Sequence, residues 1–156
     1  GHSAIMQMYK PEYKPSYGNK MLWNEAMDAP GSFYMTHLSK LICSRPYFDR
    51  IPDQTVIHGD PGFRYNRLLV TRGSDYLFAY IYTGRAFELQ SGCISGDELK
   101  AWWFNPRNGE SELIGTMKNS GILKFNPPGE EKEGNDWVLV LDDASKNFPE
   151  PGKKES

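Results

Sequence analysis

The sequence predicts a mainly β protein: an antiparallel β-sandwich preceded by a segment that is part α-helix and part irregular chain. Three observations carry that prediction. From Thr55 onward, short β-branched and aromatic runs alternate with Gly, Asn and Asp turn residues, the spacing of a sandwich or barrel. Two of those runs, Tyr76 to Tyr82 and Trp137 to Leu141, are apolar along their length, as strands covered on both faces are. Ahead of them lies one helical pattern, with Met35, Leu38, Leu41 and Ile42 at three- and four-residue spacing.

The first 29 residues mix Tyr, Pro, Gly and Lys without a period and read as a strand end followed by irregular connection. The helix is predicted over Pro30 to Ser44. Asp28 is positioned to cap it, Pro30 suits a first turn whose N–H groups have no helical partner, and Pro46 stops it. Its single apolar stripe needs a surface to lie on. The strands are expected at Arg67 to Thr71, Tyr76 to Tyr82, Ala86 to Leu89, Leu99 to Phe104, Ser111 to Gly115, Gly121 to Phe125 and Trp137 to Leu141. Strand side chains alternate, so Leu77, Ala79 and Ile81 make one face of the second run, while Tyr76, Phe78, Tyr80 and Tyr82 make the other. The aliphatic face belongs to the inter-sheet core, and the aromatic face should receive the helix stripe or another domain. Asn108-Gly109 tolerates positive φ and predicts a tight turn that pairs the strands through Trp103 and Leu113. The charged end, with its Pro and Gly, reads as a mobile tail.

At 156 residues the chain can bury one real core, with a short appendage. Its 18 Lys and Arg against 20 Asp and Glu leave a net charge of −2, no footprint for nucleic acid or an anionic membrane. No apolar run approaches the roughly 20 residues of a membrane span. Cys43 and Cys93 are too few for a disulfide framework and lack zinc-site spacing, so both are expected to be buried free thiols.

Chemistry-bearing residues are sparse. His2, His37 and His58 stand in three unrelated contexts and form no metal pattern. Asp142-Asp143 could hold a hard cation, but adjacent carboxylates past a strand end usually make a solvated turn. No nucleophile elbow, phosphate-binding loop or zinc-protease helix is present. Glu12, Glu25, Asp49 and Asp53 could be tested as a glycosidase carboxylate pair, yet their loop and linker settings read as structural. In Trp102-Trp103 one ring must face each way, so one belongs to the core and the other either stacks on a sugar or packs on a neighbouring domain.

The runs GHSAIMQMY, WNEAMDAPG, SRPYFDRIPDQ, TRGSDYLFAYIYTGR, WWFNPRNGE and NDWVLVLDD, in that order, resemble the C-terminal third of apiosidase-like glycoside hydrolases. Such proteins join a (β/α)8 barrel to a β-sandwich labelled a collagen-binding domain. The resemblance spans residues 1 to 143 and implies a division of the chain: 1–50 as the barrel's last strand end and last helix, 51–146 as the sandwich, 147–156 as a flexible tail. It implies that the catalytic acids lie on earlier barrel strands, so no catalytic residue, metal or cofactor is assigned to this chain. His2 and Gln7 match positions at the barrel mouth that could line a sugar site. Ser3 stands where related sequences carry Asn, which alters that wall's hydrogen bonding.

The resemblance further implies a secreted or periplasmic protein whose partners are the catalytic barrel of its own polypeptide and a plant polysaccharide or oligosaccharide. Three readings remain open at this stage. They are a fragment of a pectin-type glycosidase with a structural accessory sandwich, a free-standing carbohydrate- or collagen-binding module, and a purely structural sandwich. Residues 1–44 favour the first, because a self-contained module has no need of a strand end and a helix with an unpaired stripe.

Overall fold

The computed structural model describes residues 10–14 and 21–153. Two helices open the described chain, α1 (Trp23–Ala26) and α2 (Pro30–Cys43). Nine strands follow: β1 (Ile51–Pro52), β2 (Ile57–His58), β3 (Leu69–Arg72), β4 (Tyr76–Ile81), β5 (Phe87–Gln90), β6 (Glu98–Phe104), β7 (Ser111–Lys118), β8 (Ile122–Phe125) and β9 (Trp137–Asp143). They form two antiparallel sheets, a six-stranded one ordered β1-β3-β4-β9-β6-β7 and a three-stranded one ordered β2-β5-β8. All seven predicted strands are present, and β4 and β9 sit side by side at the centre of the large sheet, as their two-sided apolar character requires.

Alternation places the core. Leu77, Ala79 and Ile81 of β4 face the small sheet together with Leu99, Ala101 and Trp103 of β6 and Leu139 and Leu141 of β9. Phe87, Leu89 and Phe125 answer from the small sheet. Phe87, Trp103, Phe125 and Trp137 interlock with ring centroids 5.9 to 6.3 Å apart, mostly edge to face, the arrangement that ring quadrupoles favour. The opposite face of the large sheet carries a second cluster, Tyr76, Phe78, Trp102, Phe104, Val138 and Val140, and this face receives Leu41 of α2.

Several expectations need correction. Helix α2 begins at Pro30, but its N-cap is Ala29 with no side-chain cap, so Asp28 does not serve there. Of the helix stripe only Leu41 is buried, while Met35 and Leu38 stay more than 40% exposed because only the C-terminal end of α2 rests on the sheet. The β6–β7 strands pair as expected, Trp102 opposite Leu113, but the connection is a four-residue loop rather than a two-residue turn. It is closed by Asn105 and Glu110, with Gly109 donating to the Asn105 carbonyl at 2.8 Å, and only Gly109 needs positive φ. The Trp102-Trp103 pair does face both ways: Trp103 lies between the sheets, and Trp102 packs in the outer cluster that receives Leu41 of α2, which leaves it 6% accessible and rules out the sugar-stacking alternative. Cys43 is exposed and Cys93 half-buried, because Cys43 closes α2 just beyond its seated turn. Within the stretch expected as a mobile tail, Phe148 packs on the outer cluster and Pro151 is buried, while Lys153 is exposed. The apolar Phe148 and Pro151 outweigh the charge of their neighbours.

Candidate functional site

The features with chemical content lie where residues 23–50 meet the large sheet. Pro46 ends the helical run, and the two arginines on either side of it point back into the structure. Arg45 is wholly buried, and its guanidinium forks onto Asp142 at the end of β9, Nε to Oδ1 and Nη2 to Oδ2 both at 2.7 Å. Its remaining nitrogen donates to the Ser44 carbonyl at 2.6 Å, and the planar group lies 4.8 Å from the Phe148 ring centroid. Planar, bidentate geometry is what arginine supplies and lysine does not. Burial pushes the Asp142 carboxyl up, while the hydrogen bonds and charge of Arg45 pull it back.

Arg50 makes a second connection. Its guanidinium spans the faces of Phe78 at 4.6 Å and Tyr76 at 5.3 Å, donates to the Tyr76 hydroxyl at 3.0 Å and caps the Ile42 carbonyl at 2.9 Å. That last bond satisfies one of the carbonyls a helix C-terminus leaves open. Tyr76 in turn donates to the Pro46 carbonyl, and burial raises its phenol against the pull of Arg50. Each cation therefore has a directed partner in the sheet and another in the helix or its cap.

Beside this joint, between the exposed side of α2 and the β6–β7 loop, lies an open groove of about 590 Å³. Tyr34, Met35, Leu38, Tyr80 and Pro106 supply apolar walls, and Arg107 and Asp136 supply polar ones. Arg107 Nε lies 3.8 Å from Asp136, and its guanidinium covers the Trp137 ring at 5.1 Å. Burial raises Asp136, and Tyr80 is pushed up to about 12 by burial first and then by Asp136 and Tyr82. His37 of α2 abuts the loop at Gly109.

Apart from Glu12, the carboxylates weighed as acids or ligands have structural partners. Asp53 takes the Thr55 hydroxyl at 2.6 Å and Arg72 Nε at 2.7 Å, contacts that hold it below the usual carboxylate range. Asp49 accepts from Ser74 N and Glu25 from Leu22 N, while Glu12 is exposed. Asp143 accepts from Ser95 and Ser145, which lower it, and Asp142 is committed to Arg45. Among the described residues no three His, Cys, Asp or Glu side chains group as metal ligands. His58 stands 3.9 Å from Glu88 on the small sheet, far in sequence and setting from His37. His2 and Gln7 lie outside the described residues.

Sequence reasoning missed Arg45 and Arg50 because periodicity marks apolar faces, and nothing local announces a cation whose partner is 97 residues away. It also missed the Arg107–Asp136 pair, which a loop and a strand approach bring together.

Comparison with known proteins agrees with this geometry. Residues 51–142 match the family described as "Putative collagen-binding domain of a collagenase", and residues 1–49 match "Apiosidase-like, catalytic domain". A solved structure named "Glycoside hydrolase" is 43% identical, with a TM-score of 0.86 over 96% of this chain and 33% of its own. A glycoside hydrolase family 5 structure from Bacteroides vulgatus ATCC 8482 is 38% identical, with a TM-score of 0.85 over 96% of this chain and 32% of its own. The chain thus spans about a third of the length of these structures. No curated protein matches it.

Proposed function

Because the chain belongs to the family whose domain matches residues 51–142, behind an apiosidase-like segment at 1–49, we propose that its sandwich is a structural accessory domain locked onto a catalytic barrel. The observation that carries this reading is the buried Arg45–Asp142 fork. It ties the second residue past α2 to the central strand of the sandwich, so helix and sandwich hold one relative orientation. Residues 1–50 complete a (β/α)8 barrel, 51–146 form the accessory domain, and the barrel supplies the acid and the base or nucleophile that glycoside hydrolysis needs. The substrate is a plant polysaccharide of the pectin type, met outside the cytoplasm, with His2 and Gln7 on the wall of the sugar site. Trp23, Met27 and Phe33 are 48%, 62% and 57% exposed and offer an apolar surface for further barrel elements.

The test compares the parent protein with the chain alone on rhamnogalacturonan-II side chains and aryl glycosides. The parent is expected to hydrolyse, and the chain alone is not. Replacing His2 or Gln7 with Ala in the parent should raise KM more than it lowers kcat. Turnover by the chain that disappears on mutating one of its own carboxylates would overturn the assignment, as would a parent with no glycosidase activity.

A further inference from the structure

The outer face of the large sheet does not end at the groove. Tyr80 lies in it opposite Tyr34 of α2, and Tyr82, two residues further along the same face, follows just beyond the end of β4. The Tyr82 ring meets Tyr65 at 6.0 Å between centroids, and Tyr65 is 71% exposed. Phe63, on the same short loop, is 76% exposed. Aromatic side chains are therefore placed on α2, at the sheet end and on the loop before β3, with Tyr65 and Tyr82 in direct contact and Tyr34 and Tyr80 lining one groove.

That loop is held rigidly for a segment displaying two bare rings. Leu68 N donates to the Pro61 carbonyl at 2.8 Å, and Arg85 donates to the carbonyls of Asn66 and Asp60 at 3.0 and 3.1 Å. Thr83 bonds the Asn66 side chain at 2.6 Å. Arg64 between the rings is non-glycine with φ of 51°, a left-handed conformation that costs free energy and persists only where surroundings impose it. Such bracing is more than a connection requires, and it reduces the ordering cost of binding.

We propose that this aromatic track is a binding site for a saccharide chain, with Phe63, Tyr65, Tyr82, Tyr80 and Tyr34 as stacking faces and the Arg107–Asp136 pair as hydroxyl partners. The chemistry fits that occupant. The ring faces suit the polarised C–H groups of a pyranose, and Arg107, whose Nε and Nη1 are held by Asn105, Gly134 and Asn135, offers Nη2 as donor beside the Asp136 carboxylate as acceptor to neighbouring hydroxyls. The groove's 590 Å³ is within the range of small-ligand sites. Placement fits as well, a point that rests on the barrel reading above. The helix after a barrel strand starts at the catalytic face, so Tyr34, in the first turns of α2, lies toward that face. A polysaccharide engaged by the barrel could continue along the track.

Affinity electrophoresis of this chain through gels carrying pectic rhamnogalacturonan, polygalacturonate, arabinoxylan, xyloglucan or mixed-linkage β-glucan tests the site. At least one polymer should retard it, and neutral against acidic polymers will show whether the sugar carries charge. Phe63→Ala and Tyr65→Ala should each weaken retention about three- to tenfold at unchanged Tm, since both rings are exposed. Phe48→Ala, which removes a fully exposed ring away from the track, should leave retention unchanged. No retardation by any polymer would overturn the proposal, and so would retention that survives the Phe63→Ala/Tyr65→Ala double variant. Self-association abolished by that double variant, without retention, would assign the track to a second copy of the chain instead. Hydrolysis by the parent is not read in this experiment, so failure of the site and failure of the proposed function are separable.

Discussion

Replacing Arg45 with Met asks how much the joint depends on charge. The substitution keeps an unbranched side chain over Phe148 but leaves the Asp142 carboxylate, in a residue 2% accessible, without its cation. Removing one member of a buried ion pair costs about 3–5 kcal/mol, because the remaining charge has lost water and partner together. For a chain of this size that corresponds to a fall in Tm of roughly 6–20 °C. Thermal melting at pH 7 reads this directly, and acidification supplies the control. Without Arg45, burial acts on Asp142 against the charge of Lys100 only, so its folded pKa is raised further above the ordinary 3.8. The deficit should be largest above that raised value and shrink as the carboxyl protonates on acidification. Adding Asp142→Leu removes the stranded charge and should recover most of the loss. The reasoning fails if Arg45→Met costs under about 1 kcal/mol, or if the double variant melts no higher than the single one.

Gly109→Val should destabilise by about 1–3 kcal/mol, since Gly109 holds φ of 76° and an added Cβ would come within 2.4 Å of His37 Nδ1. Gly121→Val, at the same φ but with nothing within 4 Å, isolates the strain from the clash, and urea titration of both should place Gly109→Val as the costlier. Asp53 and Asp143 have folded pKa values below 3.8, so the stability they contribute is present above that value and lost as pH falls below it. Asp53→Asn should therefore flatten the acid limb of the stability profile measured between pH 5 and pH 2. A thiol reagent at pH 8 should label exposed Cys43 well before Cys93, whose thiol is half-buried and raised by burial, and mass spectrometry of the peptides can rank them.

How far the sequence can be read depended on whether a feature is local. The faces of β4 were legible because strand alternation is a property of consecutive residues, and Leu77, Ala79 and Ile81 could only share a face. The start of α2 at Pro30 was legible for the same reason, as was the glycine at 109. The loop around that glycine was read too short, because the closing bonds of Asn105 and Glu110 depend on register, which a dipeptide does not specify. Tail order, too, is decided at a distance: Phe148 is seated by Tyr76 and Arg45, residues far earlier in the chain. For the track, the tyrosines of β4 were visible as an aromatic face, but Tyr65 and Phe63 joined them only through a loop whose braces come from Thr83 and Arg85.

The joint is built from cations where an apolar seat would have held as well, and the difference lies in direction. Leu41 on Val138 and Val140 tolerates a small rotation of the helix at little cost, since dispersion contacts re-form wherever surfaces meet. Arg45 does not tolerate it, because two parallel bonds at 2.7 Å to one carboxylate fix both distance and plane. Arg50 adds a second fixed line, from the Ile42 carbonyl at the helix end to the Tyr76 hydroxyl in the sheet. Two such constraints at different points leave α2 one orientation over the sandwich. That rigidity is what a binding track crossing from α2 to the sheet needs. Tyr34 and Tyr80 belong to different elements, and a joint that rocked would change the spacing of their rings. Buried charge at the joint and exposed aromatic rings beside it are then two parts of one arrangement, the first holding the second in register.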